Sequence, residues 1–406
     1  MKAPLLPVED ALQRLLAMAS PVSVHESVSL GEADGRVLAH GLSARLTHPP
    51  FAASAMDGYA VAAPQGVSAS SVFSVIGETA AGDPPASDLR SGEAMRIFTG
   101  APMPANADTV VIQEDTERLE DGTIIVTEGV AGGANVRSAG LDFSVGQPIL
   151  GAGRKLDFRA ISLAAAAGHD RLDVYRKPKL AILATGNELV PPGTTPGTGQ
   201  IVASSGTGIS ALMRASGAEV FDCGIAGDSE TATRAAIAAA LEKAPDVLVT
   251  IGGASVGDHD LVRPVLQSMG MTLDFWRIAM RPGKPLMVGK LDGTIIVGLP
   301  GNPVSSFVCA LVFLEPLMRM MAGLPPAKRL LRARLSGKLP PNGPRQAYLR
   351  ARIVQNATGV VVAEPLLQQD SSLLSVLALA DALLIRATHA PEAKDGDPVD
   401  VLMLDS

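Results

Sequence analysis

The chain has 406 residues, a formal net charge of −7 and 47% hydrophobic residues. At about 150 residues per domain this length suggests two to four domains. The apolar content argues against global disorder, and the acidic balance against a nucleic-acid binder, which needs a basic face for phosphate. Only 3% of residues are aromatic, while 41 are Gly and 30 are Pro, so the core is expected to consist of Ala, Val, Leu, Ile and Met and the chain to turn often. The two cysteines, Cys223 and Cys309, exclude a disulfide scaffold and a four-thiolate zinc site and fit a reducing compartment. Their apolar strand and helix contexts suggest buried structural thiols. No basic segment followed by an apolar run marks the N-terminus. The longest apolar run, 304–317, contains Glu315 and is short for a membrane span. A soluble, cytoplasmic protein is the expectation.

Taken in chain order, residues 8–20 read as an amphipathic helix, with Leu12, Leu15, Leu16 and Met18 at helical spacing. Short β-branched runs at 72–76, 110–113 and 123–127 follow, and Asp121-Gly122 signals a hairpin. Residues 158–168 form an Ala-rich helix with Gly168 as its C-cap. After Pro178 the pattern changes. Apolar strands at 180–184, 219–225, 246–251 and 294–297 alternate with helices around 210–216, 229–244, 260–269 and 303–321, with Ser229 as an N-cap. This alternation predicts βαβ units around a parallel sheet buried on both faces. From 325 onward the pattern is again β, with strand-like runs at 332–335, 347–354 and 360–364 and a turn at Asn342-Gly343.

Ligands of open α/β sheets bind beyond the C-terminal strand ends, and four motifs fall there. They are Ala184-Thr185-Gly186-Asn187-Glu188, the segment 252–260 (Gly252-Gly253-Ala254-Ser255-Val256-Gly257-Asp258-His259-Asp260), Arg281-Pro282-Gly283-Lys284-Pro285, and Gly298-Leu299-Pro300-Gly301-Asn302-Pro303-Val304-Ser305. Glycines let backbone N–H groups approach a ligand. Asn302 suits an N-cap and Pro303 the first helical position, so that helix start, with Ser305 and Ser306, offers an oxyanion site. Arg281 and Lys284 add positive charge, and Glu188, Asp258 and Asp260 are oxygen ligands suited to Mg²⁺. Each such turn could by itself be a plain βα connection; four on one edge describe a site for a phosphorylated ligand and a divalent metal. Gly206-Thr207-Gly208-Ile209-Ser210-Ala211, with Asp228 about 20 residues on, matches a dinucleotide fingerprint, but a Pro/Gly/Thr-rich segment precedes it in place of a long strand. His25, His40, His48, His169, His259 and His389 lack metal-ligand spacing. The β-rich half contributes Ser54-Ala55-Met56-Asp57-Gly58-Tyr59-Ala60, Arg96-Ile97-Phe98-Thr99-Gly100-Ala101-Pro102-Met103-Pro104 and Asn135-Val136-Arg137-Ser138-Ala139-Gly140-Leu141-Asp142. These suggest that another domain, or another chain, closes over the site.

Together these motifs, in this order and over nearly the whole chain, resemble the MoeA family of molybdopterin molybdenumtransferases, which includes the E domain of gephyrin. The resemblance implies a multidomain α/β plus β protein. Its parts are an N-terminal helical subdomain split over 1–45 and 134–177, a β-rich insertion at 46–133, a doubly wound α/β domain similar to molybdopterin adenylyltransferase at 178–324, and a C-terminal β-barrel at 325–406. It implies a homodimer with a composite active site and, as partners, molybdopterin adenylyltransferase and downstream cofactor-processing proteins. The implied reaction inserts molybdenum from molybdate into adenylylated molybdopterin, with Mg²⁺-dependent release of AMP. By position, Glu188 and Asp260 hold Mg²⁺ at the nucleotide phosphates and Asp228 belongs to the same acidic site. Arg281, Lys284, Asn302, Ser255 and Ser305 bind molybdate or the pterin phosphate, and Arg345 or Arg350 with Ser371 completes the oxyanion site. Asp57, Thr99, Arg137 and Asp142 act from the β-rich side across the dimer. The chain departs from many relatives in carrying Arg277 and Arg281 for Lys, Ala203-Ser204-Ser205 for Asp-Ser-Asn, and Ala184 for Ser. Two readings follow: an active transferase, with a tungstate-preferring variant of it, or a paralogue that binds molybdopterin as carrier or scaffold without catalysis.

Overall fold

The structure, a computed structural model, describes residues 5–84, 86–253, 261–355 and 359–405. Its contacts divide into two compact units, Ser27–Val174 and Met1–Glu26 with Tyr175–Ser406. The latter opens with α1 (Val8–Ala17), whose Leu15 and Ala11 are fully buried.

The unit Ser27–Val174 is built on one six-stranded sheet of β1 (Gly58–Val61), β2 (Val72–Thr79), β3 (Glu93–Ile97), β4 (Thr109–Ile112), β5 (Thr116–Arg118) and β6 (Thr123–Val126), in the order β4-β1-β3-β2-β6-β5. Period-two alternation sends neighbouring residues to opposite faces. Tyr59, Val61, Ala94 and Val111 fill one cluster, and Ala60, Met95 and Val110 fill another. The Asp121-Gly122 signal is borne out: β5 and β6 pair antiparallel, Gly122 takes φ +85°, and Asp121 Oδ1 accepts from Thr123 N at 3.0 Å and Thr123 Oγ1 at 2.7 Å. Helix α2 (Phe158–Ala166) is capped by Asp157, which accepts from Ala160 N at 2.9 Å, and ends at Gly168 with φ +90°.

In the second unit the central sheet runs β8-β7-β9-β12-β11-β10. Its strands are β7 (Lys179–Thr185), β8 (Glu219–Ala226), β9 (Val247–Ile251), β10 (Thr272–Trp276), β11 (Met287–Leu291) and β12 (Thr294–Leu299). Both faces are buried. Leu180, Ile182, Val249 and Val297 pack against α1, α3 (Ser205–Ala215) and a long helix at Pro303–Met321. Ala181, Leu183, Leu248 and Ile296 pack against α4 (Glu230–Leu241) and α5 (Val262–Ser268). Ser229 caps α4 by accepting from Ala232 N. The expected parallel arrangement holds for β8, β7, β9 and β12, but the sheet is mixed: β11 runs antiparallel to β12, and β10, antiparallel to β11, runs in the direction of the parallel strands. The signal for the β11–β12 hairpin was Asp292-Gly293, with φ +46° and +90°, the left-handed pair of a two-residue hairpin turn.

Beyond residue 325, β13 (Leu330–Leu335), β14 (Gln346–Gln355), β15 (Val361–Pro365), β16 (Ala382–Arg386) and β17 (Pro398–Met403) close into a five-stranded barrel, because β14 pairs with both β15 and β16. The expected strands there are present; β16 and β17 went unread.

The helix Pro303–Met321 (α6) is 19 residues long and passes the length and hydropathy test for a membrane span, yet 72% of its apolar window is buried in this unit. It contains a π-helical turn at Ala310–Leu314, ahead of Pro316, which has no N–H to continue the α ladder. Its Glu315 forms a bidentate pair with Arg329, Nε to Oε2 at 2.6 Å and Nη2 to Oε1 at 3.0 Å, with both side chains at most 6% exposed.

Glu315→Ala strands the Arg329 charge in the interior and is expected to cost about 3–5 kcal/mol, read from urea denaturation. At α2, the N–H of Ala160 and then Arg159 hold Asp157 down from the ordinary 3.8 to about 2. A carboxylate with a depressed folded pKa stabilises above its unfolded pKa and loses that contribution as pH falls through the folded one. The melting-temperature gap between the unsubstituted chain and Asp157→Asn should therefore be constant above about pH 5 and close toward pH 2.

Candidate functional site

The C-terminal ends of β7, β9 and β12 share one sheet edge, and the 184–188, 252–260 and 298–305 motifs begin there. Residues 254–260 lie outside the described residues, so Ser255, Asp258, His259 and Asp260 receive no placement. At Gly252, φ is +94° and a Cβ would stand 2.6 Å from the Thr185 carbonyl oxygen, so only glycine brings β9 this close to β7. The 281–285 motif follows β10, at the same edge, but its short strand Met280–Arg281 pairs with Gln346 and Ala347 of the barrel. This loop thus joins the α/β sheet to the barrel.

That junction encloses a cavity of about 500 Å³. Arg281, Lys284, Ser305, Arg345, Arg350 and Ser371 all line it, so six of the expected oxyanion residues come together from four separate segments. Arg345 and Arg350 both contribute where either one was expected. Arg350 is 2% exposed. Its Nη1 donates to Asp370 O at 2.8 Å, its Nη2 to Gln368 O at 3.2 Å and its Nε to Gln369 Oε1 at 3.3 Å, while Asp370 Oδ1 accepts from Ser372 N and Oγ. Burial lowers the Arg350 pKa, partly offset by the Asp370 charge. An arginine remains charged in that setting, so the cavity wall carries a fixed cation whose direct partners are neutral. Gln369 and Asp370 were not anticipated; the polar run 368–372 between apolar segments was their only signal.

The start of α6 departs from expectation. Asn302 occupies the N-cap position with Pro303 next, but its side chain makes no capping bond. The Val304 N–H donates to Ser371 O at 3.0 Å, and Ser306 Oγ donates to the Pro300 carbonyl. One helix-start donor is thus satisfied by the barrel, and of the two serines Ser305 is the one that lines the cavity.

A second cavity of about 470 Å³ lies over β7 and β8, lined by Ala184, Gly186, Asn187, Ala203, Thr207 and Asp222 among others. At its rim, Asn187 N donates to Asp228 Oδ2 at 2.9 Å and Asp228 N to Asn187 Oδ1 at 3.0 Å. The Glu188 carboxylate folds back over Gly186, where a Cβ would meet it at 2.4 Å. The departures Ala184 and Ala203 thus face this cavity. The Gly206–Ala211 match falls inside α3, preceded only by the exposed two-residue strand Ile201–Val202, which is not the strand–turn–helix of a dinucleotide site. Among the described residues no group of three or more His, Cys, Asp or Glu is arranged to hold a metal.

In the other unit, Asp57 Oδ1 accepts from Thr99 N and Thr99 Oγ1, both at 2.8 Å, and these bonds lower its pKa. Arg137, exposed, pairs with Ala53 across a short ladder, and Asp142 N donates to His48 O. Cys309 is buried against Gly283 and its thiol pKa is pushed up by burial; Cys223, half-buried, is raised for the same reason. Both fit structural thiols.

Three family models match in sequence: the MoeA N-terminal region (domain I and II) at 6–168, the probable molybdopterin binding domain at 181–320, and the MoeA C-terminal region (domain IV) at 332–404. The chain is 35% identical over 319 residues to the molybdopterin molybdenumtransferase of Haemophilus influenzae, covering 79% of this chain and 78% of that one. The chain belongs to the MoeA family. A second MoeA relative, the molybdopterin molybdenumtransferase of a Nostoc species, is 37% identical over 337 residues, covering 80% and 76%. The crystal structure of a molybdopterin biosynthesis MoeA protein from Pyrococcus horikoshii superposes with a TM-score of 0.83 at 30% identity, covering 99% of this chain and all of that one.

Gly283, within the 281–285 motif, has φ +107°, and a Cβ there would stand 2.6 Å from Cys309 Sγ. Gly283→Ala is expected to shift the loop and weaken binding of a tetrahedral oxyanion such as molybdate by about tenfold or more, read by titration calorimetry.

Proposed function

We propose that this chain is an active molybdopterin molybdenumtransferase, which inserts molybdenum from molybdate into adenylylated molybdopterin and releases AMP. The observation that carries this reading is the convergence of Arg281, Lys284, Arg345 and Arg350 with Ser305 and Ser371 on one cavity at the edge of the molybdopterin-binding fold. Cations and hydroxyls of this kind suit a tetrahedral dianion, which they bind by charge-assisted hydrogen bonds. Arg350, fixed by three neutral acceptors, holds its charge in place without reorganisation. Exposed Arg281 and Lys284 draw molybdate in and orient it toward the pterin.

The nucleotide half of the substrate is assigned to the cavity over β7 and β8, with Glu188, Asp228 and Asp260 beside its phosphates. The described carboxylates, Glu188 and an Asp228 with one oxygen already engaged, do not make a complete metal cage. They fit Mg²⁺, which is commonly held by one or two carboxylates together with substrate phosphates and water. When bound, Mg²⁺ neutralises phosphate charge and activates the anhydride. Asp57, Thr99, Arg137 and Asp142 are assigned to the same reaction from the partner of a homodimer, with the Asp57–Thr99 bonds keeping that carboxylate ionised and oriented. The four-part division at 1–45 with 134–177, 46–133, 178–324 and 325–406, a cytoplasmic location and partnership with molybdopterin adenylyltransferase complete the proposal. Ala184 and Ala203 in the nucleotide cavity motivate the competing reading, a carrier that binds the pterin without turning it over.

The deciding measurement is AMP release from adenylylated molybdopterin. Release that requires both molybdate and Mg²⁺ is expected, abolished by Glu188→Ala or Asp260→Ala, and lowered in kcat/KM by about 10²-fold in Lys284→Ala. Binding of the pterin with no AMP release would establish the carrier instead.

A further inference from the structure

Trp276 is the chain's only tryptophan, and it stands at the end of β10, immediately before the loop that carries Arg281 and Lys284. Two guanidinium groups stack on its indole: the Cζ of Arg263, from α5, at 4.0 Å from the ring centroid, and that of Arg277 at 4.1 Å. The Nε of each arginine is buried with no hydrogen-bond acceptor. Among the described residues neither arginine pairs with a carboxylate, so contact with the ring is what orients both.

Arg277 also has φ +89°, a conformation that long side chains disfavour and that persists only where the surroundings hold it. From this residue the loop turns back on itself. Arg277 N donates to Leu286 O at a long 3.3 Å, and Ile278 N donates to Lys284 O at 3.0 Å. The path toward Arg281 and Lys284 thus begins at Arg277 and is held further along by Ala279 N donating to Leu6 O at 2.7 Å and by the pairing of Met280–Arg281 with the barrel. The Arg277 backbone is held by one long hydrogen bond and its side chain by the indole.

We propose that Trp276 is a positioning residue. Stacked with Arg263 and Arg277, it holds the left-handed backbone of Arg277 and so aims the 277–286 loop, with Arg281 and Lys284, into the oxyanion cavity. An arginine at 277 suits this task, because a planar guanidinium stacks on an aromatic face and a compact ammonium does so less well. The inference rests on the oxyanion reading of that cavity.

The test uses the full chain, with molybdate as probe, by titration calorimetry and by the emission of Trp276. In the unsubstituted chain, saturable binding with a matching change in Trp276 emission is expected, both lost in Arg350→Ala. Trp276→Ala should raise the Kd about tenfold, the scale of a partly desolvated cation–π contact, and Trp276→Phe should restore it to within about threefold. Adding Arg277→Gly to Trp276→Ala should recover part of the loss, since glycine adopts φ +89° without strain; a merely structural tryptophan would show no such rescue. Unaltered molybdate affinity in Trp276→Ala overturns the positioning role and leaves the oxyanion reading standing. Failure of the unsubstituted chain to bind molybdate removes the oxyanion reading and the positioning role with it. Should Trp276→Ala not fold, Arg263→Gln takes its place: a weaker Kd supports the role, and an unaltered Kd with silent Trp276 emission overturns it.

Discussion

A carboxylate and a guanidinium taken almost fully out of water tie helix α6 to the barrel. Glu315 lies within the helix and Arg329 just before the first barrel strand, and the same arginine donates from Nη1 to the carbonyls of Met403 and Leu404 at the end of the last strand. Neither charge can relax toward solvent, so any docking of the barrel that separates the pair leaves both buried and uncompensated. Two backbone links act in the same place: Val304 N to Ser371 O, and the pairing of Met280–Arg281 with Gln346 and Ala347. The arginine-lined cavity occupies the space beside these links, so its arginines keep their relative positions only while the barrel stays seated.

Within that space the electrostatics invert the character of the chain. The molecule carries a net charge of −7, yet the cavity wall presents three arginines and a lysine, with Asp370 as the one acidic side chain among the described lining residues. Asp370 Oδ1 is turned to Ser372, while Arg350 is satisfied by carbonyl and amide oxygens. Neutral acceptors hold an arginine in place without cancelling its charge, which leaves the field available to an anion. The low aromatic content fits this chemistry, because recognition by charge and hydrogen bonds needs no broad stacking platform. The single tryptophan is used beside the cavity, where it orders two cations.

The central sheet supplies rigidity for the site. Buried on both faces, its strands end at one edge in glycine turns such as Gly252, where Cβ-free backbone lets neighbouring loops crowd together. Strands β10 and β11 extend the sheet, and β10, running with the parallel strands, brings the chain at Trp276 to that same edge. The loop bearing Arg281 and Lys284 therefore runs from one strand of that sheet, β10, to the next, β11, and is pinned between them to the barrel by Met280–Arg281.

Much of this was legible in the residues. Helices α1, α2 and α4, with the Asp121-Gly122 hairpin and the Ser229 and Gly168 caps, depend on contacts a few residues apart, and local chemistry suffices to specify them. The apolar strands β7, β9 and β12 followed from unbroken burial, and the ordered motifs were enough to place the chain with its relatives. Strand direction was not legible: β10 and β11 alternate weakly, and Asp292-Gly293 alone marked the reversal of β11. Nor was the cavity, because Arg281, Ser305, Arg350 and Ser371 meet only when the barrel closes and docks on α6, through long-range pairings that no local pattern encodes. The sequence by itself determined which residues carry charge, glycine turns and hydroxyls at the strand ends. The tertiary structure alone decided that Arg345 and Arg350 both reach one cavity, that the α6 start gives its Val304 N–H to Ser371, and that Arg263 of α5 stacks on Trp276, since each depends on partners that become neighbours only on folding.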